Sequence, residues 1–167
     1  PGPALFSQLR VGRDGRTFTV YKFRTMRVDA QQRLDYLLAN DPTAAAEWAQ
    51  FQKLKHDPRV TVLGRILRKM SLDELPQLLN IVRGEMSVIG PRPVTSGEIH
   101  RYGAEYPYYT AVRPGVLGLW QVSGRNKLTY EQRVAFDVQY VKTWSIWQDI
   151  KILFMAIPVV LLGLGAY

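Results

Sequence analysis

The stretch Ser71-Leu72-Asp73-Glu74-Leu75-Pro76-Gln77 decides how this chain is read, because its proline limits where a helix can begin. Ser71 and Glu74 have the spacing of a capping box, but a helix capped by Ser71 would put Pro76 at its fifth position, where the missing N–H breaks the ladder. With Asp73 as N-cap, Pro76 falls at the third position, which a first turn tolerates. The spacing therefore predicts a helix over 74–83, with Leu75, Leu78, Leu79 and Val82 as its apolar stripe and Gly84 as its stop.

The same stretch carries the chemistry. Asp73 and Glu74 are adjacent carboxylates at a helix start, where backbone N–H groups favour anions and keep a carboxylate ionised. Arg65, Arg68 and Lys69 precede them and Gly90-Pro91-Arg92-Pro93 follows. In 62–70, Leu63, Ile66, Leu67 and Met70 recur at helical spacing, which leaves the three cations on other faces, converging toward Asp73. Paired carboxylates among guanidiniums suit phosphate oxygens together with a hard cation such as Mg²⁺, most of whose other ligands would be water. Phosphoryl transfer with an ionised Asp73 as nucleophile is the chemistry this pattern points to. As single residues, each also has a structural reading: the acids as helix caps, the arginines as solvated charges.

Residues 5–11 and 16–23 flank Gly12-Arg13-Asp14-Gly15 and read as a β-hairpin. On its second strand Phe18 and Val20 share a face, and Lys22 and Arg24 extend that row, where charge is out of place unless it serves something. Residues 30–38 and 43–55 read as a helical pair broken at Asn40-Asp41-Pro42, with Leu34, Leu37, Leu38, Trp48 and Phe51 as packing residues and no chemistry assigned. Residues 112–125 read as turns and short strands forming a wall of the site. Residues 130–144 read as an amphipathic helix, and Ser145 as the cap of a final apolar helix kinked by Pro158. The apolar run 152–164 is too short to span a bilayer and reads either as an interfacial helix or as a buried one.

The 167 residues allow one domain with a real core. The expected class is α+β: a mostly helical single domain with an N-terminal β-hairpin, short strands around the site and membrane-associated amphipathic helices. Lys and Arg outnumber Asp and Glu by 22 to 14, and the net charge of +8 points to a polyanionic partner. With no cysteine, disulfides and thiolate metal sites are excluded. His56 and His100 have no partner at ligand spacing, so zinc is not expected. The hairpin turn lacks the length and Lys-Ser/Thr ending of a P-loop, and no dinucleotide glycine pattern opens a helix. The +8 charge and Tyr102, Tyr106, Tyr108 and Tyr109 beside Arg101 raise a nucleic-acid-binding module as an alternative, but no such motif is present.

The segments Phe6–Gly12, Tyr21-Lys22-Phe23-Arg24-Thr25-Met26, Asp57-Pro58-Arg59-Val60-Thr61, Leu67 through Gln77, Met86 through Pro93 and Arg113-Pro114-Gly115 together resemble the bacterial sugar transferases, which are monotopic polyprenol-phosphate phosphoglycosyl transferases. In order and extent the match resembles the C-terminal catalytic domain of the larger undecaprenyl-phosphate hexose-1-phosphate transferases. The resemblance implies that residues 1–167 are that catalytic domain, without the membrane-dipping helix that precedes it in the family. It also implies transfer of a sugar-1-phosphate from a UDP-sugar to a polyprenol phosphate, with UMP released, at the cytoplasmic face of the bacterial inner membrane. By motif, Asp73 becomes the nucleophile and, with Glu74, the Mg²⁺ ligand. Lys22, Arg24, Arg68, Arg92, Arg113, Gln121 and Arg125 become substrate-binding residues. The implied partners are the two substrates and the membrane surface, with a homo-oligomer compatible and no nucleic acid. The competing reading is a membrane-surface scaffold whose site is inactive.

Overall fold

The computed structural model of the chain describes residues 2–124 and 128–161, with side chains through 158. Strands β1 (Leu5–Val11) and β2 (Thr17–Phe23) pair antiparallel with Val11 opposite Thr17 and Leu5 opposite Phe23. The turn between them takes Asp14 and Gly15 to φ of 57° and 72°, a left-handed conformation that Asp tolerates and Gly adopts freely. In this register Phe6, Gln8 and Arg10 lie opposite Lys22, Val20 and Phe18, so one face of the hairpin runs from buried apolar residues to polar and charged ones.

Helices α1 (Ala30–Asn40) and α2 (Pro42–Phe51) form the expected pair. The Asp41 side chain caps α2 by accepting from Thr43 N and Ala44 N at 2.9 and 3.1 Å, with Pro42 in the first helical position. Leu34, Ala44 and Leu54 bury between them, with Leu37, Leu38 and Trp48 packed alongside.

Helix α3 (Val62–Lys69) starts at Thr61, whose hydroxyl accepts from Gly64 N at 2.9 Å. Gly64 lies against the end of β2: a Cβ there would come 2.0 Å from the carbonyl oxygen of Thr25, so no side chain fits without moving α3. Asp73 does not cap an α-helix over 74–83; Ser71 turns the chain at φ 55°, a 3-10 helix spans Leu72–Gln77 with Pro76 inside it, and α4 is only Leu78–Val82. The tighter winding bonds each N–H three residues back, and it takes in the proline that the α-helical reading had to place in a first turn.

The apolar stripe of this segment faces outward. Asn80, 0% exposed, donates from Nδ2 to Thr19 O and Glu85 Oε2, both at 2.7 Å, and Gln77 is buried beside it, whereas Leu75, Leu78, Leu79 and Val82 are exposed. Helix α3 behaves likewise, with Val62, Leu63, Ile66 and Met70 exposed. Both segments turn apolar residues outward, and the residues they bury are Gly64, Gln77 and Asn80, the reverse of a helix covering a soluble core.

Strands β3 (Ser87–Ile89) and β4 (Gly115–Leu117) pair in parallel, joined by two 3-10 turns and α5 (Tyr106–Ala111), which the sequence reading did not assign. After β4 the chain forms a short helix, α6 (Leu119–Ser123), where turns and strands alone were expected. Helix α7 (Tyr130–Lys142) begins at a Thr129–Gln132 capping box. Helix α8 (Ile146–Leu161) begins where Gln148 N donates to Ser145 Oγ at 3.2 Å. Ile152 and Ala156 of α8 are buried, Ile152 packing with Ile89 and Tyr140, while Ile146, Trp147, Leu153, Phe154 and Ile157 are exposed, so α8 is buried on one side only. Among the described residues no helix is long and apolar enough to cross a membrane.

Candidate active site

The β-hairpin, the α1–α2 pair, the start of the 3-10 helix and the loop after β3 surround a cleft of about 600 Å³. Asp73 and Glu74 line it, as do Lys22, Arg24, Arg68, Arg92 and Gln121. Each arrives by a separate piece of local structure.

Lys22 comes from the β2 row that also buries Phe18 and Val20. Its Nζ donates to Glu74 Oε1 at 2.7 Å, and Arg92 Nη1 donates to the same oxygen at 3.3 Å. Arg68 is steadied by donating from Nε to Thr25 Oγ1 at 2.9 Å, while Thr25 O accepts from Thr61 N at 3.0 Å. Thr25 thus couples α3 to the end of β2. Arg65 and Lys69 are exposed and do not line the cleft, so of the three cations in this helix only Arg68 converges on Asp73 as expected.

Arg92 sits in a loop held at both ends. Gly90 N donates to Leu117 O at 2.9 Å and Gly115 N to Pro91 O at 2.8 Å. A Cβ on Gly115 would approach Gly90 N to 2.1 Å, so this crossing requires glycine. Beyond Arg92, Arg10 Nη1 donates to Pro93 O at 3.0 Å and to Glu98 Oε2 at 3.2 Å. Arg10 also lines the cleft, and sequence reading missed it. The available signal was the hairpin register, since Arg10, Gln8 and Phe6 share the face of Lys22.

Electrostatics separates the two carboxyls. Burial alone would push Glu74 up, but Lys22 and Arg92 outweigh it and hold the carboxyl at about 2. Asp73 is raised, by burial first and then by the Glu74 charge, against the pull of Lys22, Arg68 and Arg92. Glu74 is therefore a fixed anion committed to two cations, and Asp73 is the more basic of the pair. A more basic carboxylate is the better nucleophile.

The remaining assignments divide. Arg24 lines the cleft and donates from Nε to Pro3 O at 2.8 Å, its guanidinium 5.6 Å over the Phe6 ring. Gln121 donates from Nε2 to Val116 O at 3.2 Å, leaving Oε1 buried with no hydrogen-bond partner among the described residues. Arg113 is exposed and is not brought to the cleft; its Nη2 lies 3.9 Å from where a Cβ on Gly84 would be. Arg125 lies outside the described residues. Among the described residues no three His, Cys, Asp or Glu side chains group as a metal site. Two adjacent carboxylates are nonetheless what a Mg²⁺ ion sharing its shell with phosphate oxygens and water asks of a protein, so the donor set fits that ion.

A family model described as bacterial sugar transferase matches residues 1–163. The chain is 55% identical to an undecaprenyl-phosphate galactose phosphotransferase of Salmonella typhimurium over 99% of its own length and 35% of that protein. It is 50% identical to the exopolysaccharide production protein ExoY of Rhizobium meliloti, covering 99% of this chain and 74% of that one. It is 42% identical to a UDP-glucose:undecaprenyl-phosphate glucose-1-phosphate transferase of Caulobacter vibrioides, with 100% and 60% covered. The chain thus spans about a third of the length of the Salmonella relative. With its motifs in order and its cations gathered on paired carboxylates, this chain belongs to the bacterial sugar transferase family.

Proposed function

We propose that this chain catalyses transfer of a hexose-1-phosphate from a UDP-sugar to undecaprenyl phosphate or a similar polyprenol phosphate, releasing UMP, as a first membrane step of polysaccharide assembly. The observation that carries this reading is the pairing in one cleft of Glu74, neutralised by Lys22 and Arg92, with a more basic Asp73 beside Arg68. The names of the relatives supply the substrate classes.

In the first step an Asp73 carboxylate oxygen attacks the sugar-bearing phosphorus. The bond from that phosphorus to the bridging oxygen breaks, the bond electrons leave with UMP, and the sugar phosphate stays esterified to Asp73. In the second step a phosphate oxygen of the polyprenol phosphate attacks the same phosphorus and Asp73 departs as carboxylate. No proton transfer to Asp73 is needed in either step. Arg68 and Arg92 offset charge on the phosphoryl oxygens as the nucleophile approaches, and Lys22 keeps Glu74 ionised and oriented. Asp73 and Glu74 would hold Mg²⁺, which when bound supplies further neutralisation between the anionic nucleophile and the diphosphate.

The outward apolar faces of α3 and α4 flank the segment that carries Asp73. On the proposed reading they sit in the interfacial layer of the cytoplasmic leaflet, bringing the carboxylates to the depth of a lipid-borne phosphate, with the net charge of +8 adding attraction to anionic headgroups.

Release of UMP from UDP-galactose and UDP-glucose, with and without undecaprenyl phosphate and chelator, tests the proposal. Turnover should require the lipid phosphate, stop with chelator, and fall at least about a thousandfold in Asp73→Asn. Full turnover by Asp73→Asn would reject the nucleophile, and vesicle binding with no UMP release from any UDP-sugar would favour an inactive scaffold.

A further inference from the structure

The α1–α2 pair, to which the sequence pattern assigns no chemistry, delivers a cation to the cleft. Helix α2 ends at Gln52, whose φ of 53° is left-handed. Gln52 N and Nε2 both donate to Trp48 O, at 2.8 and 2.9 Å. After this reversal the next two side chains diverge. Leu54 enters the core of the helical pair with Leu34 and Ala44, while Lys53 enters the cleft, its Nζ 5.8 Å from the centroid of the Trp120 ring. The mounting is firm. Arg59, 8% exposed, donates from Nη2 to Asp57 Oδ2 at 2.6 Å, and its guanidinium lies 5.0 Å over the Trp48 ring. Arg59 O accepts from Arg27 N at 2.9 Å, which ties this segment to the chain leaving β2.

Lys53 shares the cleft with Lys22, Arg68, Arg92, Asp73 and Glu74, but it comes from a different wall. Burial first, then Arg92, Arg133 and Arg68, hold its ammonium well below the ordinary lysine range, with Glu74 pulling the other way. A further cation on the wall of an arginine-rich cleft adds to that cleft's attraction for a polyanion. Lys22 and Arg92 donate to Glu74, next to the nucleophile, and Arg68 donates to Thr25 at the end of β2, whereas Lys53 reaches the cleft from the end of α2. In an in-line displacement the attacking and leaving oxygens lie on opposite sides of phosphorus, so a cation entering the cleft on a different element from the nucleophile's own cations is placed to meet the leaving group.

We propose that Lys53 is a substrate-binding residue for the nucleoside-monophosphate half of the donor, gripping its phosphate in the UDP-sugar and as UMP departs. This deepens the proposed function and rests on it. The ammonium neutralises charge and transfers no proton, so the bonds made and broken stay as described above. The α1–α2 pair thereby becomes part of the donor site.

The test is titration of UMP into the protein by calorimetry, paired with steady-state kinetics on the UDP-sugar that the protein uses, for wild type, Lys53→Met, Lys53→Arg and the exposed neighbour Lys55→Met. Lys53→Met should weaken UMP binding about tenfold or more and lower kcat/KM for the donor by a similar factor. Lys53→Arg should recover most of both, and Lys55→Met should match wild type. UMP affinity in Lys53→Met equal to wild type, while wild type turns over, would overturn the Lys53 assignment alone. Weakening in Lys53→Arg as large as in Lys53→Met would also overturn it, because charge would then not be what matters. A wild-type protein that neither binds UMP nor releases it from a UDP-sugar would bring down the proposed function and this inference together.

Discussion

Glu74 Oε1 is the point on which the cleft's charges balance, since it accepts from both Lys22 and Arg92. Glu74→Gln keeps the shape but leaves two cations without their anion, and the expected loss is about 3 kcal/mol in urea unfolding of the metal-free protein. The pH dependence has a definite sign. The folded carboxyl sits at about 2 against an ordinary 4.5, so its stabilisation is complete above pH 4.5 and is lost as pH falls toward 2. Asp73 is shifted the opposite way and costs stability as it ionises. Unfolding titrations between those pH values should show an acid-side loss in wild type that is smaller in Glu74→Gln; an equal loss in both would remove Glu74 as its source. The gathering of these residues in one cleft was legible where sequence neighbours, strand period or motifs brought them together: Asp73 with Glu74, Lys22 from its row, Arg68 and Arg92 from their motifs. Arg10 and Lys53 were not, because a guanidinium reaching Pro93 and an amine reaching Trp120 depend on contacts between segments far apart in the chain.

Helical periodicity in α3 and α4 was visible, but which way the apolar side points is set by partners. Asn80 bonding to Thr19 and Glu85, Gln77 buried beside it, and Gly64 pressed on Thr25 fix these segments with their apolar sides outward. The assumption that Asp73 caps an α-helix failed for a related reason: a left-handed Ser71 and 3-10 winding admit Pro76 by another geometry, which residue spacing alone does not distinguish. If the outward face is a lipid contact, polar substitution there should cost little fold stability. The triple variant Val62→Ser, Ile66→Ser, Leu79→Ser should melt within a few degrees of wild type, since surface changes usually alter stability by no more than about 0.5 kcal/mol. In flotation with vesicles containing anionic lipid it should bind at least about tenfold more weakly. Flotation equal to wild type would show that membrane contact lies elsewhere.

Taken whole, the molecule assembles one cleft from parts that are individually ordinary: a β-hairpin that sends charge along its buried row, a helical pair that ends in a left-handed turn, a 3-10 segment bearing two acids, and a glycine-locked loop bearing Arg92. The exposed apolar faces of α3 and α4 adjoin the acidic segment, and under the proposed function donor, lipid phosphate and Asp73 would meet at that surface. The central claim is that Asp73 bonds to phosphorus. Intact-protein mass spectrometry after brief mixing with Mg²⁺ and UDP-sugar, without lipid acceptor, tests it most directly. Wild type should gain the mass of one hexose phosphate, lose it on addition of polyprenol phosphate, and yield a modified peptide containing Asp73, while Asp73→Asn gains nothing. An adduct of the same mass on Asp73→Asn, or turnover by wild type with the label on another residue, would contradict the claim.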